Sequence, residues 1–215
     1  MEDTAVILLH GFASSSRSTK AKYLKEKMEG RSGAEFHALD MNPTPTDFRY
    51  LTTTGAINRL RQYILDREFE TVQLVGSSFG GLVAMYYAHR YQRVGRILLL
   101  APLLRWRLGW LSEEEIAHWR KQGTVLVAHY GFGGKLPLDF GFYADGQQYQ
   151  DGVPPPAPVR IIHGREDDVV PISMSRRYAD KYPDDVELLE VEAGHVLNDH
   201  LNMIWKQVQA FLLEG

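Results

Sequence analysis

The chain has 215 residues, 44% of them hydrophobic and 24% charged, with a formal charge of -3. That length and balance suit one globular domain with a sizeable core, and they exclude a disordered chain or a strongly basic nucleic-acid binder. The lack of cysteine excludes a disulfide framework, a cysteine-based zinc site and a thiol nucleophile.

Met1-Glu2-Asp3-Thr4 leads straight into Ala5-Val6-Ile7-Leu8-Leu9. The apolar run is short and lacks a basic leader and a small-residue cleavage site. It therefore reads as a first buried strand, Val6–Leu9, rather than a signal peptide. No apolar stretch nears the roughly eighteen residues a bilayer crossing takes. A cytoplasmic protein without stable membrane insertion is expected. Ser18–Glu29 reads as a helix and Phe36–Asp40 as a second strand, ended by Asn42-Pro43-Thr44-Pro45, which cannot stay regular. Thr53–Asp66 places Ile57, Leu60, Ile64 and Leu65 near helical spacing. Val72–Val75 is a third strand, Phe79–Tyr91 a helix and Arg96–Leu100 a fourth strand.

After Pro102 the rhythm breaks. Residues 103–157 hold aromatics, glycines and one clear helix, opened by Ser112 as cap with Glu115 completing a capping box. The rhythm resumes with a fifth strand, Val159–His163, a helix, Ser173–Lys181, a sixth strand, Val186–Val191, and a last helix, Leu197–Leu213. Buried strands alternating with helices predict a parallel sheet covered on both faces, with functional loops at the carboxyl ends of the strands. One domain over residues 1–215 is expected. Residues 103–157 are too long for an ordinary connection, and we read them as a cap inserted over that edge.

The sharpest motif is Gly76-Ser77-Ser78-Phe79-Gly80, between a strand and a helix. A turn this tight needs small residues two before and two after its tip, which fits a nucleophile elbow presenting Ser78. A serine hydroxyl needs a base, and His195, in Glu192-Ala193-Gly194-His195 after the sixth strand, is the candidate. The base needs an acid to fix its tautomer. Asp167 or Asp168, in the loop after the fifth strand, can supply it, with Glu166 a third option. His10 and His163 each precede a glycine at a strand end and read as turn-shaping residues. Two backbone N–H groups must face the developing oxyanion. Phe79, after the nucleophile, and Phe12, in His10-Gly11-Phe12 after the first strand, are the expected donors. Taken singly, each motif also reads as a plain capping turn; their order along the chain joins them.

Together these segments resemble the α/β-hydrolase superfamily, over nearly the whole chain. In that family the acid of a segment like His163–Pro171 is the Asp four residues after the His, which implies Asp167. The chain starts where the family's third strand would, so the resemblance implies a reduced α/β-hydrolase fold of about six parallel strands with helices on both faces and a small cap insertion. The opening from His10 to Ala21 and the Gly-Ser-Ser elbow resemble the small YqiA-like esterases. The insertion bearing Trp106, Trp110 and Trp119 departs from that subgroup.

The expected function is a serine hydrolase cleaving a carboxylic ester or thioester through an acyl-enzyme, with Ser78, Asp167 and His195 catalytic. No metal or organic cofactor is expected. The expected partner is a small-molecule acyl substrate, with no nucleic acid. Trp106, Trp110 and Trp119, with Tyr130, Phe132, Phe140 and Phe142, are candidates to line an apolar acyl pocket, or else form the insertion's own core. The alternatives are a lactone or C–C hydrolase on the same fold, a small-molecule receptor whose cap signals to a partner, or a plain interaction domain.

Overall fold

The structure is a computed structural model that describes residues 4–30, 33–109 and 111–214. In chain order the elements are β1 (Thr4–Leu9), α1 (Thr19–Met28), β2 (Ala34–Leu39), α2 (Pro45–Arg49), α3 (Thr53–Asp66), β3 (Val72–Ser77), α4 (Phe79–Tyr91) and β4 (Val94–Leu100). Then come α5 (Glu113–Gln122), β5 (Thr124–His129), β6 (Gly134–Asp139), α6 (Gly141–Gly146), β7 (Val159–Gly164), α7 (Ser173–Lys181), β8 (Val186–Val191) and α8 (Leu201–Gln207).

Six strands form one parallel sheet in the order β2-β1-β3-β4-β7-β8. Successive side chains of a strand point to opposite faces. Ala5, Ile7 and Leu9 accordingly join a core with α3 and α4, while Val6 and Leu8 join a second core with α1 and α8. With both faces covered, β1 reads as a continuous apolar run, as buried parallel strands do. The register sets the strand ends level: Leu9 lies opposite Gly76, Leu100 opposite Ile162, and Gly164 opposite Val191. The loops after β1, β3, β7 and β8 therefore emerge along one edge. Among the described residues no helix is long and apolar enough to cross a membrane.

Three elements differ from the expectation. Asn42-Pro43-Thr44 is irregular as expected, but Pro45 opens α2, where its missing N–H is no loss, and Thr44 and Asp47 form a capping box. The last helix does not begin at Leu197, whose backbone is left-handed at φ 55°. A 3-10 turn at Asn198–His200 precedes α8, and a π-helical turn, Val208–Leu213, follows it. Within residues 103–157 an antiparallel hairpin, β5 with β6, stands beside the helix capped by Ser112 and Glu115. This segment also closes over α4, where Tyr149 meets Tyr86 edge-on at 4.8 Å, so Phe79–Ala88 is buried without a break.

α4 reaches the sheet through two glycines. A Cβ on Gly80 would stand 2.2 Å from the Leu9 carbonyl oxygen, and one on Gly76 2.7 Å from Gly81 Cα. Both obstacles are backbone and cannot rotate away. Gly80→Ala is expected to destabilise the fold by about 3 kcal/mol, at the upper end of ordinary overpacking. Urea unfolding reads this directly, and an unchanged midpoint would show that α4 can lift off β1 freely.

Candidate active site

Ser78 sits between β3 and α4 with φ 51° and ψ -115°. This is a region that a non-glycine residue occupies only when the surroundings force it. The forcing contacts are visible: Ser78 N–H donates to Leu100 O at 3.0 Å, and Leu103 N–H donates to Ser78 O at 3.0 Å. The elbow thus bonds to β4 and to the start of residues 103–157. It also leaves the hydroxyl uncommitted to capping its own helix.

His195, in the loop after β8, brings Nε2 to 3.0 Å from Ser78 Oγ. Its Nδ1 lies 2.8 Å from Asp167 Oδ2. A carboxylate accepts only, so Nδ1 carries the hydrogen and Nε2 presents a lone pair to the serine O–H. Asp167 is buried in the loop after β7, and its Oδ1 accepts the N–H groups of Val169 at 2.9 Å and Val170 at 2.8 Å. Burial pushes this carboxyl up, but hydrogen bonds from His163, His195 and Val170 outweigh it and hold it well below the usual carboxylate range. Glu166 and Asp168 are exposed. The two loops are pinned together: Glu166 N–H donates to Ala193 O at 3.0 Å, and a Cβ on Gly164 would stand 2.2 Å from the same oxygen.

The other edge of the site is the loop after β1. A Cβ on Gly11 would lie 3.5 Å from Ser78 Cβ, so the segment leading to Phe12 runs beside the serine. The Phe12 and Phe79 rings meet at 6.5 Å. Phe79 opens α4, where first-turn N–H groups have no carbonyl of their own helix to bond. Behind the loop, His10 Nε2 is 3.2 Å from Asp40 Oδ1, and Ser16 Oγ donates to Asp40 Oδ2 at 3.0 Å. Burial pushes the Asp40 carboxyl up, but the bonds to His10 and Ser16 prevail and bring it to about 2.

A cavity of about 370 Å³ opens onto Ser78. Its walls are largely apolar: Phe12, Phe79, Trp106 and Phe142 on one side, Val169, Val170 and Met174 on another. Arg107 and Asp168, both exposed, lie at its margin. Trp106 is thus placed in the site wall, where it meets Phe142 edge-on at 4.7 Å. Trp119 is not. It is fully buried, packs on Phe140 and donates Nε1–H to Leu138 O at 3.0 Å, so it is a core residue of its own segment and lines no part of the cavity. A buried indole needs an acceptor, and β6 supplies it. Trp110 lies outside the described residues. Of the remaining aromatics only Phe142 reaches the cavity, and Tyr130 is exposed.

Three residues were not expected near this site. His163 is fully buried against Asp167. Ser175 of α7 bonds His163. Lys20 of α1 donates to Val196 O at 2.6 Å, beside His195, where burial pulls its ammonium down to about 8. Lys20 had a sequence signal in the opening motif and His163 one in the segment His163–Pro171, whereas Ser175 had none. Among the described residues no group of three or more His, Cys, Asp or Glu is gathered to hold a metal ion.

The sequence matches an uncharacterised protein family, UPF0227, over residues 5–212, and the chain belongs to it. No curated protein matches the sequence significantly. Among solved structures, α/β hydrolase domain-containing protein 10 from mouse superposes with a TM-score of 0.80 at 19% identity, covering 98% of this chain and 90% of that one. Est1E from Butyrivibrio proteoclasticus with ferulic acid bound gives 0.79 at 21% identity, over 99% and 89%. A monoacylglycerol lipase from Paleococcus ferrophilus gives 0.74 at 16%, over 97% and 96%. The chain has the α/β-hydrolase fold, in the reduced six-strand form.

The Asp40 contact yields a prediction about acid stability. Its folded-state value lies below the ordinary one of about 3.9, so its contribution is full above that pH and is lost as pH falls toward 2. Asp40→Asn should flatten the fall in unfolding free energy between about pH 4 and pH 2, leaving the part that belongs to Asp167. Urea melts across that range read the slope, and an undiminished slope would remove Asp40 from the bracing of this loop.

Proposed function

We propose that this chain is a serine hydrolase that cleaves a carboxylic ester or thioester through an acyl-enzyme. One observation carries the reading: Ser78 Oγ, His195 and Asp167 form an unbroken hydrogen-bonded line, at 3.0 and 2.8 Å, beside an apolar cavity. Geometry and roles identify such a triad, whatever the fold.

In this reading the substrate's acyl group lies against Phe142, Trp106 and Val170. His195 Nε2 takes the proton of Ser78 as Oγ attacks the carbonyl carbon. The negative charge that develops on the carbonyl oxygen is met by the Phe12 and Phe79 N–H groups. His195 then protonates the departing alkoxide or thiolate. It next takes a proton from water, which attacks the acyl-enzyme and restores Ser78. Asp167 stays ionised throughout, holding His195 in the Nδ1–H tautomer and stabilising the imidazolium. Residues 103–157 serve as the cap that walls the acyl site. The volume of about 370 Å³ is in the range of small-molecule sites. The ferulic acid in one structural neighbour and the lipase name of another agree with ester chemistry.

The test is hydrolysis of chromogenic esters from acetyl to palmitoyl, with matching thioesters, by wild type and Ser78→Ala. Turnover should fall by about 10⁴-fold or more in the variant, as when a triad nucleophile is removed. Equal turnover by Ser78→Ala would overturn the reading. Ligand binding with negligible turnover in wild type would move it to a receptor.

A further inference from the structure

Asp167 is flanked by two histidines. Its Oδ2 lies 2.8 Å from His195 Nδ1 and 3.0 Å from His163 Nε2. His163 is wholly buried at the end of β7. Its Nε2 also lies 2.9 Å from Val170 O, so it faces two acceptors and must carry a hydrogen. Its Nδ1 lies 2.7 Å from Ser175 Oγ on α7, itself fully buried, so the serine donates and Nδ1 accepts. Each of these atoms has one role only, and the assignment runs without conflict from Ser175 through His163, Asp167 and His195 to Ser78.

We propose that His163, set in its Nε2–H tautomer by Asp167 and the Val170 carbonyl and steadied at Nδ1 by Ser175, is a positioning residue that holds Asp167 for His195. This rests on the triad reading above and adds two residues to it. The backbone N–H groups of Val169 and Val170 fix Oδ1, and the two imidazoles fix Oδ2. A carboxylate held by four donors cannot turn about its own axis. His163 also draws off part of the charge that Oδ2 would otherwise direct at His195. Without it, Oδ2 leans on His195 alone and holds the imidazolium more tightly. The titratable partners of Asp167 are these two histidines; Glu166 and Asp168 on its own loop are exposed.

The test compares wild type, His163→Leu, His163→Gln and Ser175→Ala by nitrogen-15 NMR of labelled histidine and by the pH profile of kcat/KM on a short chromogenic ester. In His163→Leu the pH at which His195 titrates should rise by roughly one unit, a tenfold change in its protonation constant. The acidic limb of kcat/KM should move with it while KM changes little. His163→Gln keeps a donor and should return most of the way to wild type, with Ser175→Ala between the two. A folded His163→Leu in which neither the His195 titration nor the limb moves would overturn the proposal. If His163→Leu does not fold, Ser175→Ala decides: an unmoved His195 titration overturns it. If wild type turns over no ester yet the His195 titration moves as stated, positioning stands and the ester reading falls.

Discussion

The backbone of α4 enters the molecule against the carbonyl oxygens of Leu9 and His10, at a separation that only a hydrogen on Gly80 permits. This approach governs the rest of the site. It puts Ser78 at the tip of a turn with positive φ and sets the first N–H groups of α4 beside the loop after β1. The backbones of α4 and of the loop after β1 are thus nearly touching beside Ser78. The strain at Ser78 is a local cost, offset by the ten consecutive buried residues of α4 that follow.

Asp167 and His195 come from the far side of the same sheet edge, and they are held by a different device. The loops after β7 and β8 are tied to each other before they are tied to Ser78. Gly164 lets them approach, and Arg165 and Glu166 N–H groups donate to Val191 and Ala193. Asp167 is then saturated with donors, so its charge is stabilised where burial alone would suppress it. Lys20 adds a tie from α1 to the residue after His195. The elbow is positioned by the close backbone approach at Gly80 and by hydrogen bonds to Leu100 and Leu103, and the Asp167–His195 pair by hydrogen bonds to a buried charge.

Much of this was legible because the sheet is parallel and buried. Val6–Leu9, Val72–Val75 and Arg96–Leu100 announce themselves as apolar runs, and residues of the candidate site follow the first two of them. Asp167 was separable from Asp168 only through resemblance to a family. In the structure the reason is physical: residues 169 and 170 turn their N–H groups onto the first, and the second is left exposed. The β5–β6 hairpin was hidden because Pro137 argues against a strand and Gly131, Gly133 and Gly134 look like loop. A two-stranded sheet tolerates that proline, since each strand has one unpaired side. Composition could not sort the tryptophans either. Trp106 and Trp119 are both nearly inaccessible, yet Trp119 bonds Leu138 O within its own segment while Trp106 walls the cavity. His163 escaped as more than a turn residue because its partners lie four, seven and twelve positions away, across a loop, where no periodicity runs.

The hairpin changes what residues 103–157 do. Tyr130 N–H donates to Ala13 O at 2.9 Å, one residue beyond Phe12. His129 is buried against Phe48 edge-on at 4.5 Å, and its Nε2 lies 3.2 Å from the Asn42 amide. Phe132 N–H donates to His129 Nδ1, so Nε2 carries the hydrogen and the Asn42 carbonyl oxygen is the atom that fits beside it. Ala13 itself has a positive φ of 52°, a conformation that needs outside support. The segment that walls the cavity through Trp106 and Phe142 therefore also braces the loop that carries Phe12. Swinging it away as one body would leave the Ala13 carbonyl and a buried histidine without partners, at roughly 1–3 kcal/mol for each group stranded. Leu103–Gly109 is tied in as well, Leu103 N–H donating to Ser78 O at 3.0 Å and Trp106 N–H to Tyr149 O at 2.7 Å.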